Sequence, residues 1–449
     1  VALCCHISGD DEQVADASNS NETHQPYAVL KIRDFRLYIF SMFLVVVGGQ
    51  INSLAVGYEL YKRTGSELAL AWIGAALVTP MLIFTLPAGQ LADWMDRRRL
   101  MICTLLLSMC CSAGLYFCSR LQWSDQWIYL FLVLRGTAGT FGRPARSALL
   151  PQIVGPEDFN SAVTWNSSFF HMAAVGGPAI GGLILAYDIP LAYMIDGVLI
   201  FSGCAMLFMM HVRHAPKERT PATLENLVAG MRFVWKTKVI LAALTLDLFA
   251  VLLGGAVYLL PVFAVKILHV NATGLGWLRS AQPMGALGMA ILLAHLPPMR
   301  RAGLSMLIAV AGFGVATIVF GYSTNFWLSM AMLFMTGALD SISVVVRHTL
   351  VQTLAPDAMR GRVAAVNGLF IGASNELGGV ESGVVAKYFG PVFSVVSGGI
   401  GTLLVVVGVA GLWPQILKIG SLRDLKPEPV SSAADAAMIP EVSAETEKK

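Results

Sequence analysis

The chain has 449 residues, of which 56% are hydrophobic and 13% charged, with a formal net charge of +3. Soluble domains carry about 25% charged residues, so this balance excludes an ordinary water-soluble protein and points to an integral membrane chain. Seven cysteines show no metal-ligand spacing. Cys103, Cys110, Cys111 and Cys118 share one apolar segment, where a thiol acts as a small apolar group, and Cys4 and Cys5 lie in a polar tail. Neither a disulfide nor a metal site is expected.

Residues 8–26 are polar and acidic, with no apolar run before them. The first span is therefore expected to serve as its own insertion signal. Twelve apolar segments follow, at about 36–61, 69–92, 99–119, 126–149, 160–187, 190–211, 239–265, 274–296, 303–322, 325–350, 361–387 and 391–417, each long enough as helix to cross roughly 30 Å of hydrocarbon. The expected fold class is an all-α membrane protein. Its parts are a disordered N-terminal tail (1–34), a six-helix bundle (35–211), a linker (212–238), a second six-helix bundle (239–417) and a disordered tail (418–449).

Loop charges give an orientation. Lys31, Arg33 and Arg36 precede the first span. Arg97–Arg99, Lys217, Arg219, Arg232, Lys236, Lys238, Arg300, Arg301, Arg360, Arg362, Lys418 and Arg423 fall in alternate loops and the last tail. The remaining loops hold only Lys62, Arg63, Arg120, Lys266 and Lys387. Basic loops stay in the cytoplasm, so both termini are expected there, in a bacterial inner membrane. In the linker, Leu224, Leu227, Val228, Met231, Phe233 and Val234 recur at helical spacing between charges. That pattern predicts an amphipathic helix on the cytoplasmic face.

The two halves read as repeats. Arg146, Pro156 and Asn166 match Arg347, Pro356 and Asn367, and Gly48-Gly49 matches Gly254-Gly255, at offsets of about 200 residues. Duplicated halves around a site at mid-membrane are a common architecture of secondary transporters.

Polar groups inside spans are costly and mark candidate sites. Arg135 lies about 13 Å into the fourth span, and Asp247 about 13 Å into the seventh. Asp340 and Arg347 stand seven apart on one face of the tenth, and Glu376 and Glu381 lie in the eleventh. Burial raises a carboxylate's pKa toward neutrality, so Asp247, Glu376, Asp340 and Glu381 are candidates for proton coupling, with Arg135 tuning a carboxylate. Mutual neutralisation, Asp340 with Arg347, is the alternative. Gln50, Asn52, His171, Arg279 and Asn375 are candidates to line a substrate cavity. A lone histidine such as His171 is more often a packing residue.

The turn Gly89-Gln-Leu-Ala-Asp93-Trp-Met-Asp-Arg97-Arg98-Arg99 joins two uncharged spans. Physically it reads as a latch, with Gly89 allowing close helix approach and Asp93 beside arginines, or simply as a positive-inside turn. Its Gly-x-Leu-x-Asp start and basic run resemble the motif between the second and third helices of the major facilitator superfamily. Trp94 and Asp96 stand where that motif has arginine and glycine. The resemblance implies gating roles for Gly89, Asp93, Arg97 and Arg98. Arg135-Gly-Thr-Ala-Gly139 resembles the superfamily's fourth-helix motif. Gly177-Pro178-Ala-Ile-Gly181-Gly182 resembles its antiporter motif, with Ala173 at a usual glycine. Residues 339–383, with Arg143-Pro-Ala-Arg-Ser-Ala-Leu-Leu-Pro151, resemble the branch that holds the enterobactin exporter and related efflux proteins.

The resemblance implies a proton-coupled exporter of a small organic molecule, a siderophore or a drug-like compound. It would act as a monomer embedded in membrane lipid, with the proton gradient in place of any cofactor and with no nucleic-acid partner. A lipid flippase and a non-transporting receptor stay open as alternatives. A membrane enzyme would need a cofactor or nucleophile motif, and none is present.

Overall fold

The computed structural model describes residues 27–155, 157–211, 224–297 and 299–421. Helices α1 (Arg33–Thr64), α2 (Glu67–Trp94), α3 (Arg97–Arg120), α4 (Asp125–Ile153), α5 (Phe159–Tyr187) and α6 (Ile189–Phe208) come first. After α7 (Leu224–Lys236) follow α8 (Lys238–Leu253), the short α9 (Leu260–Val262), α10 (Ala272–His295), α11 (Ala302–Tyr322), α12 (Phe326–Leu354), α13 (Asp357–Phe389) and α14 (Pro391–Leu412). The protein is an all-α membrane protein, without a strand among the described residues. Among the described residues nine helical segments are long and apolar enough to cross a membrane. Three helices of similar length, α4, α10 and α13, fall outside that set. Their apolar runs are diluted by Arg135, Arg143 and Arg146, by Arg279 and glycines, and by Glu376 and Glu381.

The sequence predicts one unbroken span over 239–265, and the structure breaks it. α8 stops at Leu253, the chain makes a tight helical turn over Gly255–Val257, and helix resumes through α9 to Ile267. Two glycines and Pro261, which lacks an amide hydrogen, account for the stop.

α1 to α6 pack mainly on one another, as do α8 and α10 to α14. Two seams join these bodies, α2 against α13 and α5 against α10. We call the end where α1 begins and α14 finishes the near end, and the opposite end the far end. Toward the far end one apolar core runs through both bodies, from Ile51 and Leu70 to Leu260, Phe263 and Leu278. Toward the near end the core splits. One cluster holds Phe35, Leu100 and Leu149, and the other holds Ile240, Met306 and Leu350. The bodies are therefore fused at the far end and separate at the near end.

α7 lies against α13 and α8, with Val234 buried and Gly230 close to the Arg362 backbone. The rest of the expected linker, 212–223, lies outside the described residues, as do 1–26 and 422–449. At the near end Val29, Ile416 and Ile419 are buried, so chain order extends slightly into both expected tails.

Candidate functional site

At mid-depth between the two bodies lies a cavity of about 330 Å³. Gln50 of α1 and Ala174 and Pro178 of α5 form its wall on one side. The opposite wall comes from Asp247 of α8, Gly254, Gly255, Val257 and Tyr258 at the break, Arg279 and Gln282 of α10, Phe313 of α11, Asp340 and Arg347 of α12, and Asn375 of α13. A pocket this polar inside a hydrophobic bundle is expensive to build, which marks it as functional.

Its charges are unevenly matched. Arg347 forms an ion pair with Asp247, and both are buried. Asp340 takes part in no hydrogen bond or ion pair with any described residue. Mutual neutralisation of Asp340 and Arg347, open from their spacing, is not what the structure shows. Arg279 donates through Nη1 to the Val257 carbonyl at 3.1 Å. That carbonyl is freed by the break after α8, and the guanidinium satisfies it.

Arg135 serves a different partner from those the sequence suggested. It holds Asp196 of α6 through Nη1 to Oδ2 at 2.7 Å and Nη2 to Oδ1 at 3.2 Å. Ser112 donates to the same carboxylate at 2.6 Å, and Asn52 donates to it at 2.9 Å. This cluster is the polar core of the α1–α6 body. Asn52, expected on the cavity, is buried in it instead. A fork-on-carboxylate pair with two further donors satisfies a charge that burial would otherwise make very costly.

Glu376 lies off the central cavity. It lines a second chamber of about 160 Å³ between α1 and α2 on one side and α9, α10 and α13 on the other. The Tyr258 hydroxyl donates to Glu376 Oε2 at 3.2 Å. Glu381 accepts from the Ser382 hydroxyl at 3.2 Å and lines neither space. His171 lies beside the Phe170 ring, also outside both linings. Gln50, Arg279 and Asn375 all reach the central cavity.

The glycine motif of α5 faces two ways. Gly177 and Gly181 lie against α1, at Gln50 and Ile51. Gly182 meets Gly276 of α10, where a Cβ on Gly182 would come within 2.8 Å of the Gly276 Cα. Ser280 donates to the Val175 carbonyl at 2.8 Å in the same seam, and Lys266, on the helical turn after α9, pairs with Glu67 at the start of α2 at 2.7 Å. At the near end Arg97 donates to the Ala148 carbonyl of α4 at 2.9 Å. Arg98 donates to the carbonyls of Leu207 and Phe208 at 2.7 and 2.6 Å. Cations on the last carbonyls of a helix complement its dipole, so Arg98 ties α3 to α6. Asp96 caps α3 by accepting from the Arg99 amide at 3.0 Å. Gly89 and Asp93 lie in the last two turns of α2.

Sequence reasoning missed two residues of this arrangement. Asp196 is the one carboxylate within α6, and the depth argument applied to Asp247 would have found it. Tyr258 gives no such signal, because an aromatic in an apolar run reads as packing.

The profile of the family described as transmembrane secretion effector matches residues 24–431. The multidrug efflux pump Tap of Mycolicibacterium fortuitum is 28% identical over 371 residues, 79% of this chain and 89% of that protein. The enterobactin exporter EntS of Citrobacter koseri is 27% identical over 415 residues, 89% of this chain and 95% of that protein. Among solved structures, a peptide transporter POT superposes with TM-score 0.68 at 14% identity, covering 86% of this chain and 95% of that one. A bacterial homologue of the lysosomal transporter Spinster superposes with TM-score 0.64 at 13% identity, covering 89% and 99%. These last two likenesses speak to the fold alone.

Proposed function

Because the chain belongs to the transmembrane secretion effector family of the major facilitator superfamily, and so is a multi-pass membrane transporter, we propose that it exports a small organic molecule from the cytoplasm in exchange for protons. The observation that carries this is the charged cavity at mid-depth between two bodies that share a core at one end only. Such a body pair can rock about its cavity and open the other end.

In this reading all twelve long helical segments cross the bacterial inner membrane, as two six-helix halves spanning 35–211 and 239–417. The near end is cytoplasmic and the cavity loads from there. α10 and α13 are less apolar because they line the cavity and form the seams, and α4 because it carries Arg135 of the Asp196 cluster. Outward residues such as Leu404, Val407 and Leu412 meet the acyl chains. The names of the relatives support a siderophore or a drug-like compound as cargo. Asp247, Asp340 and Glu376 are the carboxylates placed to exchange a proton, since each faces an internal space.

The test is uptake of ethidium or enterobactin into inverted vesicles whose lumen is acidified. The expected result is accumulation above that of vesicles lacking the protein, collapsing when a protonophore is added. Failure with both compounds, together with flipping of a labelled lysophospholipid, would move the assignment to a lipid flippase.

A further inference from the structure

The central cavity and the smaller chamber share three wall residues, Val257, Tyr258 and Arg279. Asp247 and Asp340 line only the first space, and Glu376 lines only the second. A partition therefore stands between these coupling candidates. It is built on the break after α8. Arg279 fixes the freed Val257 carbonyl from one side. The Tyr258 ring packs against Gly379 of α13, where a Cβ would approach the ring within 2.7 Å. Its hydroxyl reaches Glu376.

The smaller chamber has walls from both bodies. Ser53 and Gly57 of α1 and Ile73 of α2 face Pro261, Leu275 and Glu376. It lies in the fused, far part of the molecule. A motion that parts the two bodies at the far end must open this chamber first, because its walls are what separates. In the present arrangement Glu376 lines this chamber and meets the central cavity's wall through Tyr258.

We propose that Tyr258 is a proton-relay residue that connects Glu376, loaded from the far side, to the solvent of the central cavity. This rests on the proton-exchange reading above. A phenol can accept a proton on one side of its oxygen while it gives one away on the other. Protonated Glu376 breaks its O–H bond and forms a new one at the Tyr258 oxygen. The original Tyr258 O–H bond breaks, and that proton passes to a cavity water. Glu376 ends as carboxylate, Tyr258 ends neutral, and one proton has crossed the partition. The charged and titratable groups facing Glu376 are Tyr258 itself, Arg279 of α10 and Arg143 of α4. α2 presents only Leu70, Ile73, Leu77 and the Gly74 backbone. No second side-chain hydroxyl is hydrogen-bonded to Glu376 among the described residues.

The experiment needs no substrate. In purified full-length protein, the carboxylic C=O infrared band that disappears in Glu376→Gln is followed after a pH jump. Tyr258→Phe keeps the ring on Gly379 and removes the hydroxyl. The expected result is a band of normal amplitude that responds at least tenfold more slowly, with partial recovery of rate in Tyr258→His. An unchanged rate in Tyr258→Phe overturns the relay. Should Tyr258→Phe fail to fold, the unaltered chain still decides. Two protons in flight should slow the response more than twofold in heavy water, and no slowing refutes the relay. Failure of gradient-driven ethidium uptake in the unaltered chain would sink the exchange reading separately, whatever the infrared response shows.

Discussion

Arg347 and Asp340 share α12, yet the Arg347 guanidinium pairs with Asp247 on α8. Seven residues are two helical turns, about 10 Å, which is beyond the reach of a direct ion pair along one helix. The neighbouring α8 brings a carboxylate closer. The consequence is a cavity with one ion pair, one carboxylate without a partner among the described residues and one guanidinium, Arg279, held by a carbonyl.

That difference sets a stability contrast. Asp247→Asn leaves a buried guanidinium without its counter-charge, which should cost about 3–5 kcal/mol. Asp340→Asn removes no protein partner and should cost under about 1 kcal/mol. Thermal unfolding in detergent checks both. Equal losses for the two variants would mean that the pairing in the protein is not the one described.

The Arg135–Asp196 cluster makes a second prediction, at a residue that never faces substrate. A Cβ at Gly48 would lie 2.6 Å from Asp196 Oδ1. Gly48→Ala should therefore strain the cluster by roughly 1–3 kcal/mol, although alanine is the better helix former. The measurement is again the unfolding midpoint. A Gly48→Ala protein as stable as the parent, or more so, would show that the cluster can give way freely.

The seam at Gly182 and Gly276 should control access. Neither backbone can retreat, so Gly182→Ala forces α5 and α10 apart at the far end. Ser280 lies in that seam, fully buried. A cysteine placed at 280 should be unreactive to a membrane-impermeant thiol reagent in the parent and reactive in Gly182→Ala. No gain in labelling would mean the seam has slack.

The ion pair between the bodies carries less. Lys266 bridges to Glu67 at 2.7 Å, but its side chain is 49% exposed. Solvent screening holds such pairs to about 0–1 kcal/mol. Lys266→Ala should leave the unfolding midpoint within a few degrees of the parent, and any difference should shrink in 1 M salt. A large, salt-independent loss would show that the bridge is more than a surface contact.

Much of this was legible in the chain and some was not, for a physical reason. Apolar runs bounded by charges locate helices well, because bilayer thickness fixes their length. The span predicted at 36–61 is α1, Arg33–Thr64, and the one at 69–92 is α2, Glu67–Trp94. The same logic picks out Arg135, Asp247 and Glu376 as polar groups at depth. It does not say which helix each one faces. Helix-to-helix register is set by packing of small residues such as Gly182 on Gly276, and no periodicity within one helix encodes it. Hence Asn52, a candidate for the cavity wall, lies against Asp196, and Glu376, a coupling candidate like Asp247, stands apart from it behind Tyr258. The Gly254-Gly255 pair was visible as a repeat mark, but its role as a helix break depends on Arg279 reaching the freed carbonyl.

The two strongest candidates for coupling can now be told apart. Asp247→Asn disturbs a buried ion pair, so lost transport in that variant would mix coupling with folding. Among the described residues Glu376 belongs to no ion pair and holds one side-chain hydrogen bond, from Tyr258. Glutamine keeps a carbonyl that can accept it, so Glu376→Gln should fold and bind substrate like the parent. It cannot load and release a proton. We therefore expect Glu376→Gln to abolish accumulation driven by a pH gradient, by at least tenfold, while equilibrium binding changes less than about threefold, or 0.65 kcal/mol. Binding on purified protein and driven uptake in inverted vesicles must be measured on the same preparation. If Glu376→Gln still concentrates substrate against its gradient, the coupling proton does not use this carboxylate, and Asp340, the carboxylate without a partner in the cavity, becomes the group to replace next.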